Sequence, residues 1–241
     1  MSISLRSRWG KAAAATAVLA VAVGLSACTP TPHADAPDDS VSEQILAPRG
    51  VIDNAFQLGT GGVVVDLFTD ASCPYCKRFD LAASHELQAR IDADEITLRL
   101  HPMNYVSGKH GDATEFSTRV MNLLAAIADS GQLARVPAVY SAVLAAQPAD
   151  EAAPLPDNHR LLAIAESAGA QIPDPVREAV VAGRWNSWVQ QANDAAIGRE
   201  IGSTGVVLQY VPTVLVGGRQ VGIREDGTDL QRLQEAISTA R

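Results

Sequence analysis

Cysteine is rare in this chain, three among 241 residues, and two of the three form Cys73-Pro74-Tyr75-Cys76. The pair stands between two segments of different period. Before it, residues 62–68 (GVVVDLF) are a short β-branched run behind a glycine pair, as expected for a buried strand. After it, Phe79, Ala83, Leu87 and Ile91 recur every four residues, the apolar stripe of an amphipathic helix. Cys73 is therefore predicted at a strand-to-helix junction. Unpaired N–H groups and the positive end of the helix dipole favour an anion there, and a thiolate is one. Pro74 suits the first turn, where its missing N–H has no partner to lose.

What the pair does depends on the compartment. Arg6, Arg8 and Lys11 precede an apolar run, residues 12–25. At about 14 to 16 residues the run is shorter than the roughly 20 needed to span a bilayer, so it reads as a secretory leader. It ends in Leu25-Ser26-Ala27-Cys28, which resembles the lipobox of bacterial lipoproteins. That resemblance implies removal of residues 1–27 and a lipid on Cys28 that holds the protein to the membrane. Beyond the leader, 16 basic against 27 acidic side chains leave a charge of -11, with no basic patch to suit a nucleic acid. Residues 28–42 are rich in Pro, Asp, Ser and Thr and read as a flexible tether. The 47% apolar content supports a full core and excludes a disordered chain or a disulfide-rich mini-protein.

With Cys28 set aside, Cys73 and Cys76 admit three readings. A zinc site needs two more ligands, and His85, His101, His110 and His159 are scattered without ligand spacing. A structural disulfide closing so small a loop constrains little chain entropy. A redox-active dithiol suits the helix-start position, because only the thiolate attacks a disulfide.

Residues 68–76 (FTDASCPYC) and 211–218 (VPTVLVGG) together resemble the thioredoxin superfamily, and within it the DsbA-like thiol oxidoreductases of bacterial envelopes. The likeness spans residues 43–241, and Asp70, three residues before Cys73, belongs to it. It implies an α/β thioredoxin-like fold over 43–105 and 201–241, with an inserted helical subdomain at 106–200. It also implies a cis peptide before Pro212 and substrate binding by Pro74, Tyr75, Val211, Pro212 and Thr213. Cys73 would be the partly exposed nucleophile and Cys76 the shielded resolving thiol, with no cofactor beyond their disulfide and no metal. The partners implied are exported protein substrates and a membrane reoxidase of the DsbB or vitamin-K-epoxide-reductase type. Three points depart from the pattern. Pro-Tyr replaces the Pro-His of the best-known strong oxidants, residues 205–210 (GVVLQY) lengthen the approach to Pro212, and Leu67 stands where many relatives carry a buried acid. Asp66 is one position off, and its part as a proton relay is open.

Elsewhere, residues 95–100 alternate as a half-buried strand that His101-Pro102 is expected to end. Residues 112–200 read as mostly helical, with segments 134–147, 158–169 and 174–200. Residues 211–221 return as a hairpin turning at Gly217-Gly218, and Leu230, Leu233 and Ile237 mark a closing helix. His85, Lys77 and Arg78 read as solvated, and Trp185 and Trp188 as packing in the helical block. The function expected is a lipid-anchored envelope oxidase that introduces disulfides. The alternatives are a reductase or isomerase of the same fold and a non-catalytic binding lipoprotein.

Overall fold

The computed structural model describes residues 45–148, 153–224 and 226–240. The leader, the tether and Cys28 lie outside them. Among the described residues no helix is long and apolar enough to cross a membrane.

The chain opens on a small hairpin, β1 (Val51–Ile52) and β2 (Ala55–Leu58). Its two-residue turn places both Asp53 and Asn54 at positive φ, which matches the twist of paired strands. β3 (Val63–Asp70) follows and feeds α1 (Pro74–Asp92), whose buried side chains Cys76, Phe79, Ala83 and Leu87 lie three and four residues apart. The helix stops at Asp92, and Asp94 takes the left-handed turn back to the sheet. β4 (Ile96–Met103) then pairs parallel to β3 from Val63↔Ile96 through Asp70↔Met103. Both strands consequently end side by side, next to the start of α1.

β4 runs three residues beyond its expected last residue, Leu100, through His101-Pro102 to Met103. β2 pairs with β4 only over Leu98–Leu100, so Pro102 removes no rung from that ladder. A short α2 (Tyr105–Lys109) leads into the helical block. Its centre is α3 (Phe116–Ile127), in which every residue except Arg119 is buried. A helix enclosed on all sides needs neighbours all round. These are α4 (Val136–Ala145), α5 (Asn158–Ser167, capped by Asp157 accepting from Arg160 N–H at 2.8 Å), α6 (Asp174–Val181) and α7 (Asn186–Ala196). The expected helix over 174–200 is two helices, because Gly183 takes a positive φ between α6 and α7.

β5 (Thr213–Val216) pairs antiparallel to β3 and turns through Gly217-Gly218 into β6 (Arg219–Val221). α8 (Asp229–Thr239) closes the chain with Leu233 and Ile237 buried. The sheet order is β1-β2-β4-β3-β5-β6, a thioredoxin-like arrangement with the helical block inserted between β4 and β5. One continuous apolar cluster joins the sheet and the block, and Trp188 of α7 meets Phe56 of β2 edge-on at 5.6 Å. Trp185 and Trp188 both serve this packing.

Candidate active site

The end of β3 and the start of α1 put the two cysteines where the local chain must turn. Cys73 is the extended residue before the helix (φ -87°, ψ 117°), with Pro74 in the first turn. Its N–H donates to Asp70 O at 3.2 Å, which closes the strand-to-helix corner. Across the corner lies the bend that leads into β5. The Val211–Pro212 peptide is cis, and Cys73 Sγ is 3.5 Å from Val211 O. A groove of about 410 Å³ runs over this junction, lined by Cys73, Pro74, Tyr75, Val211 and Pro212. Thr213 lies apart from it. Its side chain is buried, and its hydroxyl donates to Tyr210 O at 2.7 Å.

The cysteines are free thiols in unlike surroundings. Cys76 is 1% exposed and accepts from Asp70 N–H at 3.5 Å. Burial first, then Cys73, pushes its pKa well above the ordinary thiol range. The Cys73 pKa is instead lowered, chiefly because Cys76 donates to its sulfur, helped by the N–H groups of Cys76 and Tyr75. Burial and the Asp70 charge oppose that shift. The surroundings thus favour the thiolate at Cys73 and the thiol at Cys76. Contrary to the expected partial exposure, Cys73 is only 4% exposed, because Pro74, Tyr75 and the Val211–Pro212 turn crowd it. It forms part of the floor of the groove.

Several groups here escaped the sequence. Tyr105, Val106, Lys109 and His110 line the groove opposite Tyr75. They follow β4, and the parallel β3–β4 register brings the two strand ends together. Asp70 is fully buried, accepting from Ser72 N–H at 2.8 Å, Val106 N–H at 2.9 Å and the Ser117 hydroxyl. Asp66 points elsewhere. It meets His101 Nε2 at 2.9 Å, beside a separate hollow of about 600 Å³ that neither cysteine lines. His85 is exposed. Lys77 is bound, donating to Gln147 O at 2.9 Å and Ala145 O at 3.5 Å at the C-terminal end of α4, and the Arg78 guanidinium lies over the Tyr75 ring at 4.5 Å. Among the described residues no three His, Cys, Asp or Glu side chains gather closely enough to hold a metal ion.

Burial raises the pKa of Asp70 from 3.8 to about 6 against its three hydrogen bonds, and that of half-buried Asp80 likewise to about 6 against a bond from Ser141. An acid raised on folding binds protons better in the folded state. Its contribution is full below the unfolded pKa near 3.8 and lost as pH rises through about 6. Stability to urea is expected to fall from pH 5 to pH 7 by about 1 kcal/mol for each group. A denaturation midpoint that does not move over this range would contradict the assignment.

A mixed sheet flanked by helices, with a Cys-x-x-Cys pair at a helix start facing a cis-proline, defines a thioredoxin-like protein. The thioredoxin profile matches residues 61–238, and the chain belongs to the thioredoxin family. Similar solved structures include MdbA, a thiol-disulfide oxidoreductase from Actinomyces oris, at 23% identity and TM-score 0.62 over 80% of this chain and 90% of that one. MdbA from Corynebacterium diphtheriae aligns at 19% identity and TM-score 0.61, over 79% of this chain and 93% of its own. DsbA from Mycobacterium tuberculosis aligns at 18% identity and TM-score 0.57, over 78% and 100%. At such identities the likeness is one of fold. No curated protein matches the chain.

Proposed function

We propose that this protein is an extracytoplasmic thiol:disulfide oxidoreductase that uses Cys73 and Cys76 as its redox pair and introduces disulfides into exported proteins. The observation that carries the reading is the Cys73 sulfur at the start of α1, with a lowered pKa, 3.5 Å from Val211 O beside Pro212. Cys73 is the nucleophile that forms a mixed disulfide with a client, and Cys76 resolves it. Pro74, Tyr75, Val211 and Pro212 bind the client, whose extended backbone lies along the groove, while buried Thr213 holds the turn through Tyr210 O. The similar folds named as thiol-disulfide oxidoreductases and DsbA support this assignment.

Direction follows from which form is stabilised. A thiolate held down in pKa stabilises the reduced pair and makes the disulfide the stronger oxidant, about 30 mV for every 1.4 kcal/mol. The pair is therefore expected to have a potential well above thioredoxin's roughly -270 mV when equilibrated with glutathione, and a value at that level rejects the oxidase direction. The buried Asp70 charge, which pushes Cys73 the other way, is what favours a reductase or isomerase instead. As an oxidase the protein takes no cofactor beyond its own disulfide, is reoxidised by a membrane enzyme of the DsbB or vitamin-K-epoxide-reductase type, and is anchored through lipidated Cys28. Nucleic acid is not a partner.

The test is covalent capture. A Cys76→Ser protein expressed in the envelope is expected to accumulate client adducts on Cys73 that dithiothreitol releases. If no adduct forms, thiol exchange is wrong, and the scaffold serves binding alone.

A further inference from the structure

Every thiol exchange at this site changes the protonation of Cys76, yet that sulfur is 1% exposed. A thiolate expelled there needs a proton that bulk water cannot deliver directly. The hydrogen bonds around it mark a route. The hydroxyl of Thr69, next to last in β3, donates to the Cys76 sulfur. Thr69 Oγ1 lies 2.6 Å from the Tyr140 hydroxyl of α4, and both side chains are buried. Tyr140 borders a cavity of about 20 Å³ shared with Leu67, Asp80 and Ser141, which is room for one water molecule. Asp80, four residues after Cys76 on α1, accepts from Ser141 Oγ at 2.9 Å and is half-buried, so it communicates with solvent.

We infer that Cys76 exchanges its proton with Asp80 through Thr69, Tyr140 and this water-sized gap. The inference rests on the thiol-exchange reading above. Side-chain alternation along β3 turns Leu67 and Thr69 toward α1 and α4, and Asp66 and Asp70 the other way. Asp66 is occupied by His101, while the Asp70 carboxylate already accepts three hydrogen bonds and offers Cys76 only its backbone N–H. Among the described residues lining the gap, Asp80 and Tyr140 are the ionisable ones. Burial sets Asp80 near 6 and holds Tyr140 well above 10, so Tyr140 passes a proton on without ionising lastingly.

The step balances. A client thiolate attacks the Cys73 sulfur of the Cys73–Cys76 disulfide, a client–Cys73 bond forms, and the electron pair of the broken S–S bond stays on Cys76. Cys76 takes the Thr69 proton, Thr69 takes that of Tyr140, and protonated Asp80 resupplies Tyr140 and is later reprotonated from solvent. In resolution, ionised Asp80 receives the Cys76 proton along the same chain. The Cys76 thiolate then attacks Cys73, restores the disulfide and releases the client thiolate, which undoes the first attack. Net oxidation comes when a second client thiolate attacks the client sulfur of the mixed disulfide instead, forms the client disulfide and leaves the electron pair on Cys73.

Stopped-flow opening of the oxidised full-length protein by reduced glutathione, from pH 5 to 9, tests this. Asp80→Asn and Tyr140→Phe, each near-isosteric, are expected to open on the order of 10²-fold more slowly per thiolate and to lose an inflection near pH 6. Asp80→Glu is expected to recover part of the rate. The Cys73 pKa, read from thiolate absorbance, is expected to stay in place, which a general loosening of the site would not allow. Variants that match the wild type at every pH overturn the relay and leave the redox pair standing. A wild-type disulfide inert to glutathione overturns both readings.

Discussion

A Gly61→Ala protein is expected to lose more than about 4 kcal/mol of stability, a size reserved for a few severe mechanisms. The cause is space rather than torsion, since Gly61 is not among the residues at positive φ. A Cβ there would lie 2.2 Å from both the Glu95 carbonyl carbon and Ile96 N, and 2.6 Å from Glu95 O. Those are backbone atoms, and the first rungs of the β3–β4 ladder hold them in place. Gly61 N–H donates to Ile96 O at 3.2 Å, and the Thr97 hydroxyl donates to Gly61 O at 2.8 Å. Room for a methyl exists only if the two central strands part where they first meet. Gly62 is the control, since a Cβ there meets nothing within 4 Å, and Gly62→Ala is expected to stay within about 0.5 kcal/mol of the wild type. Urea denaturation of the two proteins side by side decides the matter. Similar midpoints would mean that the strands are not this close.

On the redox reading, Cys73→Ala is expected to reduce thiol exchange of the reduced protein with a peptide disulfide to the uncatalysed rate. Cys76→Ala is expected to leave one attack intact and stall at the mixed disulfide. The asymmetry follows from the two environments. Only Cys73 lines the groove and has a lowered pKa, whereas Cys76 is sealed behind it as a thiol. Single-turnover mass spectrometry separates them, showing no adduct for the first variant and a stable adduct for the second. Equal adduct yields would place the nucleophile on the wrong sulfur.

Much of this was legible in the residues. The β-branched run at 62–68, the four-residue period after Cys76 and the Gly217-Gly218 turn correspond to β3, α1 and the β5–β6 hairpin. The elements that escaped are ones with no periodicity to read. β1 and β2 hold two and four residues, too few to alternate, and their only mark is the Asp53-Asn54 turn. Pro102 reads as a strand end because a sequence does not show which rungs of β4 lack a partner on the β2 side. In the site, the cysteine pair and Val211-Pro212 were visible as motifs. Tyr105, Lys109 and His110 were not, since only the pairing of Asp70 with Met103 brings their segment to Cys73. Asp70 was visible as part of the motif before Cys73, but nothing in the sequence marks it or Asp80 as buried. Their burial depends on Ser117 and Ser141, 47 and 61 residues away in the chain.

The depth of the reactive sulfur also limits who can touch it. At 4% exposure on the floor of a groove, Cys73 is out of reach of a cysteine fixed on a rigid convex surface, whose neighbours would strike Tyr75 and Tyr210 at the rim first. A slack strand can dip in. If this protein does catalyse disulfide exchange, the crevice acts as a clock, admitting a polypeptide early, while it is still loose, and closing to it once maturation has stiffened the chain.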